Sequence, residues 1–491
     1  MKNYPLLRNG LILAVLAALG LLIAGYHPGA EDDGVYLSAV KRDLNPSLYP
    51  HDSDFFAVQL QATIFDKVVA TSVRLTHLPV GWVIFAWHYV AIYLVLLGSW
   101  RLSRRCFPEE YAQWASTALV AALLTLPVAG IALYIVDQNL HPRALATAAI
   151  LAAIVATLDR KFTQSIVMLV LAALFHPIMA SFGISFCIFL AWREPRLSTK
   201  PTSATLPMIF ALTPLGWIFE PTSAAWRVAA NTRDYYFLGR WEWYDWLGVV
   251  APLGILWWYR KIGERDHASS LAYLSTRLTY FGAFQMIVAI LLMWPQRLER
   301  IRPLQPMRYL HLLFLVFIIV SGGLLGQKVL RTHWVRWAIV FVPLAAGMFF
   351  AQRETYSASA HLEWPGSVPA NPWLQAFAWI RANTPADAYF AAGPEYMRRP
   401  GNDYHSFRAL AERSVLADLA KDSAVATQVP RLSTRWLNEV ESQQGWEHFT
   451  IDDFQRLKTR FGINWVLLQR PLGEGMDCPY QNSALRVCHV P

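Results

Sequence analysis

Three consecutive carboxylates, Glu31, Asp32 and Asp33, follow the first apolar run of this sequence and precede Gly34-Val35-Tyr36-Leu37, where a short helix is predicted. Carboxylates at such a boundary suit two chemical tasks. One is to take a proton from an attacking hydroxyl, which requires a base beside the reacting oxygen. The other is to hold a divalent cation that neutralises a phosphate leaving group. A structural role, as the cap and acidic first turn of the helix at Val35, explains the same residues without chemistry.

Arginines supply the opposite charge. His141-Pro142-Arg143, His176-Pro177, Arg227, Arg233-Asp234-Tyr235-Tyr236, Arg297, Arg300, Arg302 and Arg308 fall in segments predicted to share a side with the acids. Pro142 and Pro177 fit the first turns of the helices they open, so each His-Pro pair has a structural explanation. The cluster Arg297, Arg300, Arg302 and Arg308 lies between two apolar runs, on the side where positive charge is normally sparse. Guanidinium groups there suit a lipid-linked phosphate or pyrophosphate, which they grip bidentately; contact with lipid headgroups is the simpler alternative. His27, His51, His141 and His176 share that side but show no HxxxH or HExxH spacing. Walker, dinucleotide-glycine and GxSxG patterns are missing from the sequence, so ATP-driven transport and serine hydrolysis have no support.

The elements that must position these residues are set by composition. The 491 residues are 55% hydrophobic and only 16% charged, where a soluble domain carries about 25% charged residues. That excludes disorder, collagen, coiled coil and a small disulfide scaffold, and leaves an α-helical polytopic membrane protein. Eleven spans are predicted, centred near Val15, Leu94, Leu124, Ile150, Leu169, Ile188, Leu212, Ile255, Ile290, Phe317 and Val342. Residues 1–350 form this membrane half, net +10, and residues 351–491 a polar half, net −1. One set of loops holds Lys2 and Arg8; Arg101, Arg104 and Arg105; Arg160 and Lys161; Arg193, Arg196 and Lys200; Arg260, Lys261, Arg265 and Arg277; and Lys328, Arg331 and Arg336. Basic residues outnumber acidic ones there by 17 to 6, which assigns that side and the N-terminus to the cytoplasm. An odd number of spans then puts the C-terminal half outside the inner membrane. The first span ends in Gly25-Tyr26-His27-Pro28, without an A-x-A-like cleavage site, so it reads as a retained anchor.

Outside the spans, the first external loop, residues 27–79, is too long for a connector. Phe56, Leu60, Ile64 and Val68 recur every fourth residue, with Phe65 and Val69 alongside, and predict an amphipathic helix over about 55–75. It lies either in the membrane interface or against the protein's own outer half. The outer half reads as a small α/β domain. Helices are predicted at Pro372–Asn383 and Ile451–Phe461, and strands at Ala388–Ala392, Asn464–Leu468 and Leu485–Val490. Cys478 and Cys488, ten apart around Pro479-Tyr480-Gln481-Asn482-Ser483, predict a disulfide in an oxidising compartment, while Cys106 and Cys187 read as reduced.

With its acidic motif after span one, its long first external loop carrying the 55–75 helix and its external C-terminal half, the chain resembles the GT-C superfamily of integral membrane glycosyltransferases. Trp379-Ile380-Arg381-Ala382-Asn383-Thr384-Pro385 is similar to a phrase found at the start of the outer region in bacterial proteins of this layout. A second acidic motif and a WWDYG-type sequence, as in oligosaccharyltransferases, are not evident. The resemblance implies a polyprenyl-phosphate-linked sugar and the membrane lipid as partners, with no nucleic acid. It implies Asp32 or Asp33 as general base, with a divalent cation as the one cofactor to consider and its ligands undefined. It implies substrate contacts from Glu31, Tyr36, His141, Arg143, Arg233, Arg297, Arg302 and Arg308. A transporter or flippase for a lipid-linked substrate and a non-catalytic scaffold of the same fold are the competing functions; internal repeats and charges deep within spans, the marks of a transporter, are not evident.

Overall fold

A computed structural model describes residues 4–192, 220–471 and 475–491. The expected span at Leu212 and the loop residues Lys2, Arg193, Arg196 and Lys200 lie outside those residues. The apolar half is helical: α1 (Tyr4–Ala24), α2 (Asp33–Leu44), α3 (Ala57–Ala62), α4 (Phe65–Thr76), α5 (Val80–Cys106) and α6 (Glu110–Ala122) lead to a hairpin of β1 (Pro127–Val128) and β2 (Leu133–Tyr134). Then come α7 (Pro142–Leu158), α8 (Phe162–Phe175), α9 (Pro177–Ala191), α10 (Ala224–Asn231), α11 (Trp243–Arg265), α12 (Ser269–Met293), α13 (Tyr309–Leu325) and α14 (Trp334–Thr355).

Among the described residues, five helices are long and apolar enough to cross a membrane: α1, α5, α12, the Pro306–Leu330 stretch containing α13, and α14. The expectation of eleven full spans is met only in part. Helices α7, α8 and α9, of 17, 14 and 15 residues, fall short of the roughly 20 residues a straight crossing needs. The centre expected at Leu124 falls in the turn that follows α6. Burial separates the long helices by role: 78% of the apolar window around α13 is buried and none of that in α14, so α13 is the hub and α14 a lipid-facing flank. At the hub, α13 meets α6 through small residues. A Cβ on Gly322 would stand 2.7 Å from the Ser116 Cα, an approach only glycine permits.

The polar half contains α15 (Pro372–Asn383), β3 (Tyr389–Ala391), α16 (Phe407–Ala411), β4 (Ser414–Val415), α17 (Asp422–Gln428), α18 (Ser433–Ser442), α19 (Ile451–Phe461), β5 (Trp465–Leu468), β6 (Tyr480–Gln481) and β7 (Arg486–His489). The sheet order is β4-β3-β5-β7-β6, with β3 parallel to β4 and β5, and β7 antiparallel to β5 and β6. Trp373, Phe377 and Ile380 bury one face of α15 beneath this sheet. A disulfide joins Cys478 to Cys488 of β7, and Cys106 and Cys187 are unpaired and buried.

The first loop does not hold one continuous amphipathic helix. It breaks at Thr63-Ile64 into α3 and α4, because its two ends serve different cores. Phe65 and Val69 of α4 join the core of the membrane half, while Phe55 and Phe56 pack with Val425 and Trp436 of the polar half. The change at residue 350 is therefore one of composition, and packing crosses it freely.

Arg408 of α16 fastens that crossing. Its guanidinium, 2% exposed, donates to Asp52 Oδ2 of the first loop at 2.7 Å and to both carboxylate oxygens of Asp422 at 3.1 Å. Asp52 also accepts from the Val415 amide of β4 at 3.1 Å. Removing one partner of such a group leaves a charge stranded away from water. Arg408→Met is expected to destabilise the detergent-solubilised protein by about 3–5 kcal/mol, read as a lowered melting midpoint. A midpoint equal to that of the wild type would show that Arg408 does not join the two halves.

Candidate functional site

The site is built on the six residues 26–31 that link α1 to the acids before α2. Leaving α1, the backbone at Tyr26 donates to the His361 carbonyl at 3.0 Å and accepts from the Glu363 amide at 3.0 Å. The His27 amide donates to the Gln138 carbonyl at 2.9 Å, the Ser406 amide to the Gly29 carbonyl at 2.8 Å, and the Glu31 amide to the Tyr404 carbonyl at 3.0 Å. Buried peptide groups need such partners, and here they come from far along the chain. Gly29 sits at φ +86°, and a Cβ there would lie 2.6 Å from the Leu410 side chain, so the turn requires glycine.

That turn divides the acidic triplet. Asp33 is 3% exposed and accepts from the Gly29 amide at 2.7 Å. Burial raises its pKa to about 7, against the opposing pull of the Gly29 and Asn139 hydrogen bonds. Asp32 occupies the N-cap position of α2 but makes no capping hydrogen bond. Its Oδ1 accepts from Lys421 Nζ at 2.9 Å, and the same ammonium pairs with Glu31. Asp32 Oδ2 stands 3.5 Å from His141 Nε2. Burial pushes its pKa upward, but Lys421 and His141 together hold the carboxyl well below the usual range. Its side chain is 40% exposed, into a cavity. One aspartate is thus ionised and accessible, and its neighbour is buried and holds its proton up to about pH 7.

The cavity measures about 370 Å³, within the roughly 300–1,000 Å³ typical of small-molecule sites. Glu31, Asp32, Tyr36, His141, Arg143, Arg233 and Arg308 all line it, with Asp137, Tyr235 and Lys421. His141 caps α7: its Nδ1 accepts from the Arg143 amide at 3.0 Å, which leaves Nε2–H facing Asp32. The ring stays neutral, since burial and the Arg143 charge lower its pKa more than the carboxylates raise it. The positive end of α7 points into the same space. Arg143 is held by both oxygens of Asp137 at 2.6 Å, yet its Nε and Nη1 are buried without partners. Arg233 donates to Ser423 Oγ at 2.7 Å and to the Ala420 carbonyl, and its Nε is also unpartnered. Arg308 has no hydrogen-bond or ion-pair partner for its guanidinium among the described residues.

Three of the residues expected at the site lie elsewhere. Asp33 is turned into the protein by the Gly29 bond. The short helical segment Gln296–Leu304 directs Arg302 onto the Phe237 ring and the Met293 carbonyl, and leaves Arg297 exposed. Two others escaped the sequence reading. Lys421 belongs to a segment with no motif, and Asp137 stands alone in the loop between β2 and α7. A lone acid just before His-Pro-Arg was the one available signal. As for a cation beside Asp32, the positive charge present there is the Lys421 ammonium.

A pH test separates the two aspartates. A carboxyl with a folded-state pKa near 7 and an unfolded value near 4 stabilises the fold fully below the lower value. That contribution is lost as pH rises through about 7. The melting-temperature difference between wild type and Asp33→Asn is therefore expected to move in favour of the variant over this interval. A difference independent of pH would mean that Asp33 is not the buried, proton-retaining partner.

No protein-family profile matches this chain, and no curated protein does. Among solved structures, an oligosaccharyltransferase of Archaeoglobus fulgidus in its apo form aligns with a TM-score of 0.49 and 10% identity, covering 95% of this chain and 70% of its own. A likeness of that degree identifies no activity.

Proposed function

We propose that this protein is a membrane glycosyltransferase that moves a sugar from a polyprenyl-phosphate donor to a lipid or cell-surface acceptor on the extracytoplasmic side of the inner membrane. The N-terminus lies in the cytoplasm and the polar half outside. Carrying this reading is one observation: a guanidinium without a partner, Arg308, borders the same cavity as the ionised Asp32. Arg308 is half-buried with its Nε shielded from water and unpaired, and a buried donor left open is costly unless an acceptor completes it.

The residues divide the transfer between them. The acceptor hydroxyl sits against Asp32 Oδ2, the oxygen not taken by Lys421. As its oxygen bonds to the anomeric carbon, the proton passes to Asp32. The bond from that carbon to the phosphate oxygen breaks, and the departing polyprenyl phosphate gains negative charge. Arg308 and the open nitrogens of Arg143 and Arg233 receive that charge, where fixed donors in a site shielded from water act most strongly. The lowered pKa keeps Asp32 ionised and able to accept the proton, which the hydroxyl gives up as its bond to carbon forms. Tyr36, packed on His141 with ring centroids 4.6 Å apart, walls the acceptor side.

Sugar transfer from a polyprenyl-phosphate donor, followed in membranes containing the full chain, is the direct test. Asp32→Asn is expected to lower the rate on the order of 10²–10⁴-fold. Arg308→Gln is expected to lower it on the order of 10²–10³-fold, with both variants still inserted and folded. Transfer at the wild-type rate in both would overturn the assignment. Cells lacking the protein should accumulate one lipid-linked sugar, detected by mass spectrometry, and an unchanged lipid-sugar profile would count against it.

A further inference from the structure

We infer that His27, Glu363 and His405 form a zinc site that locks the start of the first loop onto the polar half of the chain. One coordinating atom from each lies within 4.8 Å of the others. His27 Nδ1 is 2.8 Å from Glu363 Oε1, and His405 Nε2 is 3.1 Å from the same oxygen. Both imidazoles are 0% exposed and the carboxylate 13%. Two imidazoles with one carboxylate are a ligand set that zinc uses, leaving a fourth position for water.

Hydrogen-bond polarity points the same way. His405 Nδ1 lies 2.9 Å from the Asn402 carbonyl oxygen, which can only accept. In a neutral ring that nitrogen therefore carries the proton, and the lone pair of Nε2 faces a carboxylate that also only accepts. Two acceptors at that distance need a positive charge between them, supplied by a proton on Nε2 or by a metal ion. A proton satisfies one such contact, whereas a divalent ion engages all three donor atoms. A backbone carbonyl that fixes the tautomer and ring orientation of a ligating histidine is the usual support of such sites. His27 is held in turn by stacking on Tyr356, with ring centroids 3.8 Å apart and an interplanar angle of 12°.

Placement gives the site its purpose. His27 borders the polar cavity, and Glu363 borders a second, largely apolar cavity of about 650 Å³ lined by Trp82 and Trp364. The three ligands thus form a partition between the two spaces. The Ala30–His405 bridge and the Tyr26–Leu362 bridge are the backbone contacts that bring them together. This site is separate from Asp32 and makes no use of sugar transfer, so its test stands apart from that of the proposed activity.

The full-length protein, purified in detergent, stripped with chelator and dialysed against zinc, is expected to retain about one zinc per chain by elemental analysis. Asp32→Asn and Asp137→Asn should retain it, and His405→Gln and Glu363→Gln should lose it. A wild-type protein free of zinc, or zinc lost from Asp32→Asn and kept by His405→Gln, would overturn the proposal. Should the ligand variants misfold, X-ray absorption on the zinc-loaded wild type still decides. Two imidazole nitrogens and a carboxylate oxygen at about 2.0–2.2 Å support the site, and a shell of oxygens without imidazole refutes it.

Discussion

The segment between α1 and α2 is the constraint on which the rest of the structure depends. Its peptide groups are buried between the loop that precedes α7 and the polar half, and none can be left unpaired without cost. The ladder that pairs them, from Tyr26 with His361 and Glu363 to Glu31 with Tyr404, fixes where every neighbouring side chain points. With the Gly29 turn in place, Asp33 has its partner within the turn, and Asp32 and Glu31 are the members of the triplet that reach the cavity. Displacing this segment by one residue would put Glu31 or Asp33 where Asp32 now stands.

Charge in the cavity is arranged asymmetrically. Each acid on its wall has an assigned cation: Lys421 for Glu31 and Asp32, and Arg143 for Asp137. The surplus is positive, carried by Arg308 and by the unpaired nitrogens of Arg143 and Arg233. A space with that surplus favours an anion. The ionised Asp32 at its edge is kept from repelling one by the ammonium that already balances it. A cap explains α2 less well, since the side chain in the capping position turns away from the helix it precedes.

Much of the architecture is legible in the chain because local patterns decide it. The helix at Pro372–Asn383 begins with Asn371 as cap and proline in its first turn, and its buried face repeats at helical spacing. The helix at Ile451–Phe461 has Thr450 and Asp453 as a capping box and Gly462 at its end. Span count was less legible, since α7, α8 and α9 are apolar all round yet too short to cross alone. The site was legible only where residues cluster in sequence. Glu31-Asp32-Asp33 and His141-Pro142-Arg143 stand out as runs. Lys421, Glu363 and His405 do not, because what makes them meaningful is a partner hundreds of positions away, and Asp137 is a lone acid in a loop. The arginine run at 297–308 shows the opposite error. Its members share a segment, but that segment winds tightly, and of the three put forward as substrate contacts Arg308 alone lines the cavity.

The separation of Lys421 from Asp32, 389 positions along the chain, has a bearing on biosynthesis. Chains emerge in order, and non-local pairings form last because their loop closure must come first. The opening anchor and its acids reach the membrane long before the ammonium that will balance them has been made. Until the final third is made, the carboxylates lack the ammonium that fixes their geometry. The cavity therefore assembles as a late event of maturation, and a prematurely terminated chain lacks the wall to which Lys421 belongs.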